Sequence, residues 1–252
     1  MKPVIAGRPV VKRLYSACVY AIAICCLAGG CGGCSTTPPG GGSPDAARNK
    51  GVNASRVEPE AEPPLTAETH FAAGWLAENQ GDPRLAVRQY REALKLQPRH
   101  EASLYRLGVV STQLKDKDAA VGAWKQYLQA TNDSASGYAN LGFCYEMFGE
   151  GELAEQAFKT GIAREPGNRA CRVNYGLMLA RRGRLREASE QLGSVLTPAQ
   201  VHYNLGSVFE QQGEAERARG EYEKALALDA RLQDAKTRLE QLRPAKGGSA
   251  AE

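Results

Sequence analysis

From Ala67 to Leu232 the apolar positions return with a helical rhythm, and that rhythm itself repeats. Glycine stands at Gly74, Gly108, Gly142, Gly176 and Gly206, at spacings of 34, 34, 34 and 30. Twelve residues after each comes alanine: Ala86, Ala120, Ala154, Ala188 and Ala218. Four residues later stands a large side chain: Tyr90, Trp124, Phe158, Leu192 or Tyr222. Directly before the glycines come Ala73, Leu107, Leu141, Tyr175 and Leu205. Offsets of three and four mark one face of a helix. Recurrence at such a period marks an array of stacked helix pairs. Small residues facing each other let the two helices of a pair approach closely.

The turns repeat as well. Seven residues after the first glycine stands Gly81, matched by Gly149, Gly183 and Gly213, while the second unit carries Lys115. Glycine there ends a helix by adopting a left-handed backbone. Thr66 is a suitable cap for the first helix. The pattern predicts first helices over 67–80, 101–114, 135–148, 169–182 and 199–212. It predicts second helices over 83–96, 117–130, 151–164, 185–196 and 215–228. The fourth unit is four residues short, and Thr197-Pro198 restarts the chain at once with a cap and a first-turn proline.

The segments LAENQGDPRLAVRQYREALKLQP, YANLGFCYEMFGEGELAEQAFKTGIAREP and YNLGSVFEQQGEAERARGEYEKALALD carry a resemblance to the tetratricopeptide repeat family. It extends over about two thirds of the chain. It implies an all-α, right-handed superhelical solenoid of five helix-turn-helix repeats, at 67–100, 101–134, 135–168, 169–198 and 199–232. An amphipathic stretch at 232–243 then serves as the solvating end-cap such arrays require, and 244–252 is read as a disordered tail.

In that family the first helix of each repeat lines a concave groove. The fifth repeat positions here are Phe71, Tyr105, Ala139, Val173 and Tyr203, and the ninth are Trp75, Val109, Phe143, Leu177 and Ser207. The sixth include Arg106, Asn140, Asn174 and Asn204. The expected peptide groove is Tyr105, Arg106, Val109, Asn140, Phe143, Val173, Asn174, Leu177, Tyr203 and Asn204. Each asparagine amide offers a donor and an acceptor, the needs of a peptide backbone. Phe71 and Trp75, near the open end, read equally as core or as groove. No repeat has the fifth-position lysine of the carboxylate clamp that chaperone adaptors of the family use, so no such clamp is expected.

Ahead of the array, residues 1–30 carry Lys2, Arg8, Lys12 and Arg13 and no acid. The uncharged stretch Leu14 to Ala28 has fifteen residues, about 22 Å as a helix and short of a bilayer core of about 30 Å. A basic start, a short apolar run and small residues read as a secretory signal. Leu27-Ala28-Gly29-Gly30-Cys31 resembles a bacterial lipobox, which implies cleavage before Cys31 and a lipid on its sulfur. The leucine sits four residues before the cysteine rather than the preferred three, and Cys34 is the second candidate. Residues 31–65, rich in proline, glycine and scattered charge, read as a disordered tether, with a reach on the order of 30 Å. The resemblance implies a membrane-anchored lipoprotein facing the periplasm. Gly32, in place of the aspartate that retains enterobacterial lipoproteins at the inner membrane, favours the outer one.

Charge and candidate chemistry narrow the function. The chain is +4, but the four basic residues of the signal leave with it, so 28 basic face 28 acidic residues in the mature chain. That balance argues against a nucleic-acid partner. Cys144 and Cys171 read as buried free thiols rather than a bridge. His70, His100 and His202 lie in no metal-ligand spacing, and no phosphate-cradling loop, nucleophile elbow or HExxH is present. No enzyme, metal or cofactor is expected. Two readings remain. The first is a lipid-anchored interaction scaffold that binds a peptide or protein segment in its groove, for pilus or secretion machinery. The second is a periplasmic regulator of a cell-wall enzyme that binds folded domains on the convex face.

Overall fold

The computed structural model describes residues 65–242. The signal, the lipobox cysteines, the tether before Leu65 and the tail at 244–252 lie outside the described residues. Among the described residues there are eleven helices and no strand. They are α1 Ala67–Asn79, α2 Pro83–Leu96, α3 Glu101–Gln113, α4 Lys117–Ala130, α5 Ala135–Met147, α6 Gly151–Arg164, α7 Arg169–Arg181, α8 Leu185–Gly193, α9 Pro198–Gln211, α10 Ala215–Leu228 and α11 Gln233–Gln241. Odd- and even-numbered helices pair from α1 to α10, each pair packs on the next, and α11 packs on α10. This is the all-α superhelical repeat fold. No described helix is long and apolar enough to cross a membrane.

The small-residue pairs are the crossing points. All five alanines, Ala86, Ala120, Ala154, Ala188 and Ala218, are fully buried. A Cβ on Gly108 would lie 2.5 Å from the Trp124 ring, and one on Gly142 would lie 2.6 Å from Phe158. The large side chain four residues past each alanine therefore rests on the bare backbone of the facing glycine. The turns follow the same economy: Gly81, Gly149, Gly183 and Gly213 have φ between 76° and 79°, and Lys115 takes the same left-handed conformation at 60°.

Side chains cap most helix starts. Thr66, Asp82, Asp116, Ser134, Asn168 and Thr197 each accept the backbone N–H three residues on. At Thr197 the backbone N–H in turn donates to Gln200 Oε1, which completes a capping box, followed by Pro198. His100 caps α3 through Nδ1, which accepts from Ser103 N–H at 3.3 Å. Its other nitrogen, Nε2, therefore carries the proton and donates to Glu68 at 3.0 Å.

Two expectations need correction. The second helix of the short fourth repeat stops at Gly193, not near Leu196. The Ser194 hydroxyl bonds back to Gln191 O at 2.7 Å, and Val195 and Leu196 turn directly into the Thr197 cap. Ala73, matched in register to four residues exposed by only 4 to 7%, is itself exposed, because among the described residues no helix pair precedes it. Cys144 and Cys171 are free and fully buried as expected. Burial pushes both thiols up, Cys171 to about 11.

Polar contacts join neighbouring repeats at half-buried positions. Glu155 on α6 accepts from Tyr175 Oη on α7 and from Arg184 Nη1 at the start of α8, both at 2.8 Å. Lys159 lies 2.8 Å away on its own helix. These hydrogen bonds, those from Lys159 and Arg184 first, hold the Glu155 carboxyl at about 2. Its folded value lies below its unfolded one, so its contribution is complete above the ordinary glutamate range and is lost as pH falls toward about 2.

Two measurements check this account. In urea titrations Gly108→Ala lowers stability by about 1–3 kcal/mol, through overpacking against Trp124. Gly122→Ala, at a helix-interior site where a Cβ meets nothing within 4 Å, raises it by about 0.5–1 kcal/mol. Glu155→Gln flattens the acid limb of stability against pH, below about pH 4.5. An acid limb as steep as in the parent chain would contradict that assignment.

Candidate functional site

The helices α1, α3, α5, α7 and α9 place the fifth, sixth and ninth repeat positions on one side of the array. All ten expected groove residues, from Tyr105 to Asn204, are partly exposed. The positions between them are buried: Leu104, Leu107, Val110, Leu141, Cys144, Tyr175, Met178, Leu205 and Val208 are at most 7% exposed. One face of each first helix thus goes to the core and an adjacent strip is left half open. Ala139, the fifth position of the third repeat, is 1% exposed and drops out of the strip.

The aromatic members stand with one side on the core. The Tyr105 ring meets Trp124 at 5.4 Å and Tyr127 at 5.9 Å, both edge to face. Tyr203 lies 5.7 Å from Tyr222. Phe143, Val173 and Leu177 pack against the core of the last three repeats, and Val109 against that of the second. Their backs are held by packing, so their open edges are fixed in place. At the open end Phe71 divides from Trp75. Phe71 packs 5.8 Å from Tyr90 and 5.5 Å from His100, whereas Trp75 is 53% exposed.

The asparagines do not form an even ladder. The Asn204 amide donates to Gln200 O at 2.8 Å, one turn back in its own helix. Asn140 and Asn174 make no side-chain hydrogen bond to any described residue, and both are half-buried. Two neighbouring repeats therefore place half-exposed amides, with no protein partner among the described residues, between apolar edges. Arg106 is ion-paired with Glu78, and burial pushes its guanidinium down from the ordinary value.

That ion pair belongs to a series the sequence reading passed over. The twelfth repeat positions carry Glu78, Glu146 and Glu210, and each meets an arginine from the following unit. Arg181 grips Glu146 with Nε and Nη2, both at 2.9 Å. Arg238 on α11 lies 3.3 Å from Glu210, which also accepts from Tyr222 Oη at 2.6 Å. The strip is thus apolar with its carboxylates neutralised, and the two free amides are its directional groups. The signal was available: glutamate recurs at one repeat position, with arginine at the sixth or thirteenth position of the next unit.

The remaining candidate chemistry is structural. His70 Nδ1 bonds Gln89 at 2.8 Å and His202 Nδ1 bonds Glu221 at 2.7 Å, both from first helix to second helix within a repeat. Among the described residues no cluster of histidine, cysteine and acid could hold a metal ion. On the second-helix side, two shallow clefts open where glycine occupies the same repeat position. One, by Gly122, is lined by Arg91, Leu94, Lys95 and Leu107. The other, by Gly220, is lined by Leu185, His202, Phe209 and Arg217.

Comparison with known proteins agrees with this architecture. Tetratricopeptide repeat family models match residues 71–135 and 199–232. TTC0263, a thermophilic TPR protein of Thermus thermophilus, is similar at a TM-score of 0.52 and 20% identity, over 70% of this chain and 98% of that one. A tetratricopeptide repeat protein from Parabacteroides merdae is similar at 0.52 and 20%, over 71% and 72%. PilW, described as a widely conserved type IV pilus biogenesis factor, is similar at 0.51 and 20%, over 70% and 84%. No curated protein sequence matches. Two segments of the chain are therefore tetratricopeptide repeats, and the described helices have the fold of proteins built from them.

Proposed function

We propose that the chain is a protein-protein interaction scaffold that holds an extended segment of a partner along the first-helix strip. The free amides of Asn140 and Asn174 carry this reading. They sit in neighbouring repeats, half-buried, between the fixed edges of Tyr105, Val109, Phe143, Val173 and Leu177. A half-buried amide that exchanges water for a peptide N–H and C=O gains about 1 kcal/mol per hydrogen bond. Tyr203 and Asn204 extend the strip toward the C-terminal end, while Arg106 stays paired at the other. The neutralised glutamates make the strip indifferent to partner charge, so recognition falls on backbone and apolar side chains.

The basic start, apolar run and Cys31 of the N-terminal region support anchoring by lipid in a bacterial envelope, with the outer membrane favoured. The tether then sets the array a few tens of ångströms from the bilayer. Pilus or secretion machinery is the setting proposed, since such assemblies gather several envelope proteins at one place. PilW, similar in fold, is described as a pilus biogenesis factor.

A second reading has an observation of its own. The clefts at Gly122 and Gly220 lie on the second-helix side and give a folded domain two places to seat, as a regulator of a cell-wall enzyme would require. The two readings separate by mutation.

Photocrosslinking from Phe143 in intact envelopes captures the partner. Asn140→Ala with Asn174→Ala then weakens its binding about 10- to 100-fold, at about 1 kcal/mol per lost hydrogen bond, and Tyr105→Ala weakens it further. Unchanged capture by the groove variants, with loss on Gly122→Leu, favours the second reading. Mass spectrometry of the mature N-terminus is expected to find diacylglyceryl on Cys31. A free, unacylated start beyond Cys34 removes the anchor.

A further inference from the structure

The second helices turn four register positions outward: two residues before the crossing alanine, and two, five and nine after it. In α4 these are Asp118, Gly122, Lys125 and Gln129, in α6 Glu152, Gln156, Lys159 and Ala163, and in α10 Glu216, Gly220, Glu223 and Ala227. In α2 all four are cationic, Arg84, Arg88, Arg91 and Lys95, and all four are exposed. Offsets of four, three and four residues set them in one row about 16 Å long. The helix has one acid of its own, Glu92, which accepts from Lys95 at 2.7 Å. The three arginines meet no acid among the described residues. Arg91 and Lys95 also form one lip of the Gly122 cleft. Its floor is apolar, with Leu94, Leu107 and Ala123, and a Cβ on Gly122 would meet nothing within 4 Å. The facing lip carries Asp118.

We infer that this row is a docking site for an acidic, amphipathic helix of a partner protein, whose carboxylates lie on the arginines and whose apolar flank enters the Gly122 cleft. Guanidinium groups without a partner attract anions, and their planar forks match carboxylates two bonds at a time. The row climbs α2 in steps of about 6, 4.5 and 6 Å. Glutamates repeated at the same offsets on a partner helix therefore meet it one for one. The cleft beside the row takes an apolar side chain, and an amphipathic helix carries such side chains next to its charged face. Asp118 on the facing lip repels an unbroken run of phosphates, as on a nucleic acid or a lipid surface. A helix has no such conflict, because it can turn an uncharged side to that lip. The site lies on the second-helix side, apart from the strip, and does not depend on what the strip holds.

The test is fluorescence anisotropy with the full chain and a labelled alanine-based peptide. The peptide repeats glutamate at offsets of four, three and four residues and carries leucine on the adjoining flank. The parent chain binds it, and binding weakens as salt rises from about 50 to about 500 mM. Arg88→Glu with Arg91→Glu weakens binding about 100-fold, because like charges then face each other. Circular dichroism stays unchanged, since both side chains are exposed. A peptide with lysine in place of glutamate ignores the parent and binds that double variant. Gly122→Leu fills the cleft and weakens the glutamate peptide about 10-fold. Asn140→Ala with Asn174→Ala leaves it unchanged, which separates this site from the strip. A parent chain that ignores the glutamate peptide, a double variant that keeps it, or a Gly122→Leu chain that binds it undiminished overturns the proposal. Binding of phosphatidylglycerol vesicles through Arg88 and Arg91, without binding of the peptide, overturns it in favour of a lipid surface.

Discussion

The contact on which this molecule rests is a ring or branched side chain lying on a glycine. Phe158 on Gly142 and Trp124 on Gly108 leave no room for a methyl group, so the helices of a pair sit as close as backbones allow. That closeness buries the alanine at the crossing completely. It also fixes the rotation of each first helix about its axis, because the glycine must face inward. Rotation in turn decides which neighbouring positions reach the next pair and which stay half open. The strip of Tyr105, Asn140, Phe143, Asn174 and Leu177 is a by-product of that rotation, repeated four times.

The strip joins two kinds of chemistry that seldom share a surface. Its aromatic and aliphatic edges favour burial. Its carboxylates favour water, and the structure removes that conflict by pairing each with an arginine from the following unit. Those pairs run along the array, so they also join repeats. They are partly buried, so desolvation offsets much of their attraction. Their larger effect is to offset the charge of those glutamates, beside which the Asn140 and Asn174 amides are left without a partner among the described residues.

Much of this was legible in the sequence because the fold is nearly one-dimensional. A residue in such an array meets partners at fixed offsets, so Gly74 and Tyr90, or Gly206 and Tyr222, can be paired by counting. Lys115 stands at the register of the four turn glycines and takes their left-handed backbone, against its residue type. The misses came where counting stops. Ala73 has the register of a buried residue, but burial needs a preceding pair that the first repeat lacks among the described residues. The end of α8 at Gly193 depends on a local competition between helix and turn that the repeat period does not encode. Asn204 bonds its own helix while Asn140 and Asn174 do not, a rotamer choice invisible in a string of letters. The glutamate–arginine pairs were countable, but only across two units at once.

The shortness of α8 has a mechanical meaning. It spans nine residues against fourteen in every other second helix, lacks a side-chain cap at its start, and buries only Ala188 and Leu192. A rod with its thinnest section between two sturdier blocks bends there first. The fourth repeat thus offers its neighbours the least second-helix surface to stack on, between the third repeat and the end carrying Tyr203.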